Sequence, residues 1–195
     1  MKNLTKTKKY TAILDAAKVL FWKYGYRRVT IDEICSEAKT SKMTFYKYFP
    51  NKLEVARAVF DKVTEDGLIR FREILTENST PSVKMKNILQ LKLEGTNNIS
   101  NEFLNDFYNN PELGLAPYIE AKTKILWKET LELFRGGQKD GWIRADMNVE
   151  FMFSFMQRSA SLLTDTEVLK LFNSPQDLIM ELANMFVYGI SPLEK

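Results

Sequence analysis

The sequence predicts an all-α protein, and three observations carry the prediction. Apolar residues recur at spacings of three and four along most of the chain, the periodicity of helices with one buried face. Alternating β-branched runs, which half-buried strands would need, are nearly absent. Only 8 Gly and 6 Pro interrupt 195 residues, of which 45% are hydrophobic and 12% aromatic, enough to build a substantial core. The expected organisation is a three-helix N-terminal head, residues 1–51, joined by a long helix to a helical body within residues 52–195.

Each element has its own local reason. A first helix over Lys8–Tyr24 presents Ile13, Ala16, Ala17, Leu20, Phe21 and Tyr24 as one stripe, and Gly25 stops it. Thr30 and Glu33 have capping-box spacing, so a second helix starts at Ile31 and turns Ile34, Cys35 and Ala38 inward. Lys39-Thr40 breaks that pattern, and Ser41 caps a third helix from Lys42, with Phe45 and Phe49 on its inner face. Asn51 and Glu54 cap a long helix from Lys52 to Glu77, which Asn78-Ser79-Thr80-Pro81 ends. Gly67 inside it marks either a bend or a close contact. Further helices are expected over Val83–Glu94, Asn101–Tyr108, Ala116–Lys139 before Gly141, Val149–Leu163, and Pro175–Tyr188 before Gly189, the last capped by Ser174.

Charge is distributed unevenly. Residues 1–52 hold 12 Lys and Arg against 4 Asp and Glu, a net of +8, while residues 53–195 carry a net of −5. One end is therefore suited to a polyanion. The tail with Lys2, Lys6, Lys8 and Lys9 either tracks a phosphate backbone or only solubilises. The chain has no histidine, which removes imidazole bases, Ser-His pairs and His-based metal sites, and it has no Gly-rich phosphate loop. An enzyme, a cofactor and a metal site are accordingly not expected. A single cysteine, Cys35, on an inner helix face rules out a disulfide framework. No apolar run reaches membrane-span or signal-peptide length, so a cytoplasmic location is expected.

The outer face of the third helix is unusual. Lys42, Met43, Thr44, Tyr46, Lys47 and Tyr48 make it basic, hydroxylated and aromatic, with no carboxylate between Ser41 and Asn51. A merely solvated face mixes both signs of charge. This one suits phosphate oxygens and base edges, and two short helices joined by a tight turn form a helix-turn-helix.

The stretch TIDEICSEAKTSKMTFYKYFPNK, residues 30–52, resembles the DNA-binding motif of TetR-family transcriptional regulators. Their pattern, roughly T-x-x-x-I-A-x-x-A-G-V-S-x-G-x-[LF]-Y-x-[HY]-F-x-[STN]-K, is matched at Thr30, Ile34, Ala38, Ser41, Phe45, Tyr46, Tyr48, Phe49, Asn51 and Lys52. It is not matched at Lys39, where the family has its turn glycine, at Thr40 for valine, or at Met43 for glycine or proline. The opening AAKVLFWKYGYRRVT, the link GQKDGWIRADMN and the ending FVYGI are also similar to that family.

The resemblance implies DNA binding through Thr30, Ser41, Lys42, Met43, Thr44, Tyr46, Lys47, Tyr48 and Lys52. Tyr46 and Lys52 would serve mainly phosphates, and Met43 and Thr44 would lie nearest the bases. It also implies a homodimer through the last two long helices, with Phe155, Ser159, Leu163, Leu178, Leu182 and Phe186 at the interface. A small, mostly apolar effector would bind among the body aromatics Phe71, Phe103, Phe107, Trp127, Phe134 and Phe155, residues that otherwise fill a core. Asn87, Glu94, Gln157 and Arg158, which no spacing singles out, either fix such a ligand or make surface and interhelical hydrogen bonds. The long helix is then a lever between head and body, or simply a packed helix. The function that follows is a ligand-responsive repressor on a palindromic operator. The alternative is a helical DNA-associated interaction protein without an effector.

Overall fold

The structure, a computed structural model, describes residues 7–192, so Lys2 and Lys6 of the basic tail lie outside it. The described residues are helical with no strand. In order they form α1 (Lys8–Tyr24), α2 (Ile31–Glu37), α3 (Lys42–Tyr48), α4 (Lys52–Thr76), α5 (Pro81–Gly95), α6 (Asn101–Leu104), α7 (Ala116–Lys139), α8 (Val149–Ser159), α9 (Thr166–Leu169) and α10 (Pro175–Ile190). A π turn, Asn105–Asn109, extends α6, and 3₁₀ turns cover Pro111–Leu113 and Ala160–Thr164.

Contacts divide the chain into two compact units. One comprises Met1–Thr64 and Asn98–Ile119, the other Glu65–Asn97 and Glu120–Lys195. Helices α4 and α7 each contribute residues to both.

In the first unit, Thr7 caps α1 by accepting from the Tyr10 amide, and Gly25, at φ +77°, closes it. A Cβ at Gly25 would lie 2.8 Å from the Asp106 carboxylate and 2.9 Å from Glu102 Cβ, so glycine is required there for space as well as for its backbone angle. Ile13, Phe21, Ile34, Phe45, Val55, Leu104, Phe107 and Leu115 are all essentially inaccessible and form the core. An aromatic cluster joins α1 to the α6 segment: Trp22 lies 4.3 Å from Phe103, and Phe103 stacks on Phe107 at 4.2 Å between ring centroids. The π turn replaces the regular helix expected through Tyr108, and both Asp106 and Phe107 are buried on it.

In the second unit, Met85, Phe134, Trp142, Ile143, Val149, Phe153, Val187 and Ile190 form the core. Trp142 sits where Gly137 leaves room, since a Cβ at Gly137 would be 2.5 Å from the indole. Helix α5 starts at Pro81 rather than Val83, because Thr80 caps it and proline is well suited to the first helical position. Buried Lys84 turns back to donate to the Ile74, Leu75 and Glu77 carbonyls, satisfying orphan acceptors at the end of α4. Helix α10 runs through Gly189 to Ile190, where burial of Val187 and Ile190 outweighs the glycine. Helix α8 stops at Ser159 instead of Leu163, and α9 had no distinct signal in the sequence. A Cβ on Gly67 would meet nothing within 4 Å, so no close contact explains that glycine.

Candidate nucleic-acid interface

The head presents α3 much as its sequence requires. Phe45 and Phe49 are 0% and 4% exposed, which fixes the opposite face of α3 as the outer one. Ser41 Oγ accepts from the Thr44 amide at 3.2 Å and lies 3.0 Å from Thr44 Oγ1. Thr30 Oγ1 accepts from the Glu33 amide at 3.2 Å, while Glu33 Oε2 accepts from the Thr30 amide at 2.7 Å, a complete capping box. The Thr30 amide bond, followed by the Thr30 hydroxyl bond, holds the Glu33 carboxyl below its ordinary pKa.

Along that outer face the side chains fall into two groups. Met43 is 71% and Tyr46 53% exposed, and Lys47 is exposed beside them. These are apolar, hydroxylated and cationic groups open to a partner. Lys42, although exposed, pairs with Asp32 on α2 at 2.7 Å. Tyr48 is partly buried, with its hydroxyl 2.6 Å from Thr7 Oγ1 and its ring edge-on to Tyr10, so it ties α3 to the start of α1.

Lys52 departs from the role expected for it. Its Nζ donates to the Tyr26 carbonyl at 2.8 Å, to Arg27 at 3.2 Å and to Val29 at 2.8 Å, and it lies 4.3 Å from the centre of the Tyr26 ring. A lysine ammonium has three N–H groups. All three are directed at the loop between α1 and α2, so none is left for a phosphate. Burial pushes the Lys52 pKa down, with Asp106 and Glu33 opposing that shift. The same loop is also held by Asp106, which accepts from the Arg27 amide at 2.8 Å and faces the Arg27 guanidinium at 3.3 Å. Lys52 and Asp106 together immobilise the segment that leads into the Thr30 cap. The sequence offered no signal for this clamp, because its acceptors are backbone carbonyls.

Lys39 occupies the turn between α2 and α3 at φ +48°, a left-handed conformation that costs of order 1 kcal/mol or more for a residue with a Cβ. The motif's missing glycine therefore has a structural consequence.

The aromatic residues expected to line an effector site have separate settings. Phe103 and Phe107 are core residues of the first unit, buried against Trp22 and Phe21. In the second unit, Phe71 packs 6.3 Å from Phe134, and Trp127 and Phe134 meet Phe153 at 5.0 and 5.5 Å. Phe155 is 48% exposed and touches Phe186. An open groove of about 610 Å³ beside α4 and α5 is lined by Arg70, Glu73, Ile74, Thr76, Glu77, Asn87 and Gln90. Of the residues expected at a ligand, only Asn87 borders it. Glu94 accepts from two groove residues, Arg70 and Gln90.

The expected interface residues also divide. Leu178 and Ser159 are 2% and 7% exposed and are used inside the subunit, Ser159 donating to the Phe155 carbonyl. Leu163, Leu182 and Phe186 are half-buried. Phe151, Phe155, Met185 and Tyr188 are exposed, leaving the outer sides of α8 and α10 strongly apolar. Among the described residues no cluster of His, Cys, Asp and Glu could hold a metal ion, and no helix is long and apolar enough to cross a membrane.

A basic, exposed third helix supported by an aromatic core on a helix-turn-helix defines the class: an all-helical DNA-binding regulator. Residues 13–59, which span the head, match the family of bacterial regulatory proteins, tetR family. The HTH-type transcriptional repressor KstR2 of Rhodococcus jostii is 23% identical over 161 residues, covering 80% of this chain and 78% of that one. The fatty acid degradation regulator FadR from Bacillus halodurans has the same fold, with a TM-score of 0.68 at 19% identity over 95% of this chain and 97% of that one. FadR from Bacillus subtilis, solved in complex with stearoyl-CoA, superposes with a TM-score of 0.65 at 20% identity, covering 93% and 99% of the two chains.

Proposed function

We propose that this protein is a cytoplasmic homodimeric repressor that binds a palindromic operator and is released by a small, mostly apolar effector. The observation that carries the reading is the exposed Met43, Tyr46 and Lys47 face of α3, held rigidly on Phe45 and Phe49. Met43 and Thr44 are assigned to base edges, and Tyr46, Lys47, Lys42, Ser41 and Thr30 to phosphates. Tyr48 and Lys52 position the motif from within. The functional boundary is assigned at 51/52, with residues 1–51 reading DNA and 52–195 receiving effector and partner.

Dimerisation is assigned to the uncovered faces of α8 and α10, where Phe151, Phe155, Leu182, Met185 and Phe186 leave apolar surface that a second copy would bury. The effector reading is supported by the stearoyl-CoA complex of one structural relative, a ligand with a long apolar chain. Helix α4 offers a route for coupling, because residues on one continuous helix belong to both compact units.

The test is anisotropy of a labelled duplex taken from the DNA beside the protein's own gene, titrated with long-chain acyl-CoA thioesters. An effector should release the duplex, and the duplex should weaken effector binding by the same factor, typically about 5- to 150-fold. Tight DNA binding that no ligand alters would instead favour a DNA-associated protein without an effector.

A further inference from the structure

The turn between α2 and α3 holds a lysine in a conformation that glycine takes freely. Lys39 is at φ +48°, and its side chain is exposed. Its amide donates to the Ser36 carbonyl at 3.1 Å, and its own carbonyl accepts from Lys9 Nζ at 3.1 Å. That second contact brings the Lys9 ammonium from α1 onto the turn, beside another exposed lysine. Strain on a non-glycine residue persists where something else compensates it, often at a binding site. The local charge suits an anion: between Glu37 and Glu54 the sequence has no carboxylate.

Lys52 of the head is already engaged within the protein, directing all three N–H groups at loop carbonyls. Lys9 gives one N–H to the Lys39 carbonyl, leaving two free by valence. Building on the DNA-binding reading above, we propose that Lys39 and Lys9 each neutralise a DNA backbone phosphate at the turn leading into α3, supplying the backbone contact that Lys52 does not. The contact positions the helix without reading sequence, since an ammonium offers a phosphate a point charge.

The experiment compares the full-length wild type with Lys39→Gly, Lys39→Gln and Lys9→Ala. Thermal midpoints are measured, as is the salt dependence of binding to a duplex selected from random sequence by the wild type and to an unrelated duplex of equal length. Lys39→Gly should raise the midpoint by relieving the turn, yet flatten the slope of log K against log salt by about 0.9. Lys39→Gln should flatten it equally without raising the midpoint, and Lys9→Ala should flatten it by a similar amount, all three on both duplexes. An unchanged slope in both Lys39 variants would overturn the proposal and leave a strained turn with no part in binding. A wild type that prefers no duplex would instead refute sequence-specific regulation, while the slopes would still decide the role of Lys39.

Discussion

Lys52 Nζ donates to the carbonyl oxygen of Val29 at 2.8 Å, so the first residue of α4 holds the last residue before the Thr30 cap of α2. The bond is one of three from the same ammonium, and it makes Lys52 a positioning residue for the helix-turn-helix. Replacement by alanine leaves the Tyr26, Arg27 and Val29 carbonyls without their donor, which should cost about 1 to 3 kcal/mol in denaturant unfolding. The salt slope of DNA binding should stay nearly constant. A slope that falls by about one, with unchanged stability, would return Lys52 to the phosphate backbone.

Phe45 is wholly buried, with Phe49 5.7 Å away and Tyr46 edge-on to it. Phe45→Ala should therefore lose about 3 to 5 kcal/mol, measured by chemical denaturation. A variant of wild-type stability that merely bound DNA less well would show that the ring faces the groove.

The Glu33 carboxylate is stabilised by the bonds it accepts from Thr30, so its pKa is lower in the folded protein than in the unfolded chain. Its contribution to stability is present above the ordinary glutamate range and is lost as pH falls through the lowered folded value. NMR titration should place Glu33 below an ordinary glutamate, and Thr30→Val, which removes the hydroxyl bond, should move it part of the way back. A titration unaffected by that substitution would show that the side-chain half of the capping box has no influence on the carboxylate.

The head was legible because its signals are local. Thr30 and Glu33, Ser41, and the Phe45–Phe49 spacing each fix a piece of geometry within a few residues, and helices α1 to α4 start at the expected positions. What the sequence could not convey depends on partners distant in the chain. Lys52 matches the family pattern, but its acceptors are carbonyls 23 to 26 residues away. Asp106 reaches the Arg27 amide 79 residues away, and Trp142 decides why position 137 must be glycine. In the body, apolar periodicity identified the helices but not which stripe faces inward. Ile179, Val187 and Ile190 form the core side of α10 together with Leu178, which the family resemblance places at the interface.

Phe155 and Met185 are 48% and 58% exposed, so charge at either position should disturb the fold of one subunit little. Changing both to glutamate should turn a dimer into a folded monomer in sedimentation velocity and reduce operator affinity by several orders of magnitude, since each monomer then holds one half-site. A dimer that survives both changes would move the interface away from α8 and α10.

The central claim is that this chain reads a symmetric DNA site, and selection from random duplexes by the full-length protein, followed by footprinting, tests it most directly. The account predicts enrichment of one inverted repeat whose half-sites lie on one face of the duplex, with centres about 10 base pairs or a multiple of that apart. Equal binding to all duplexes after selection, with no repeat enriched, would contradict it.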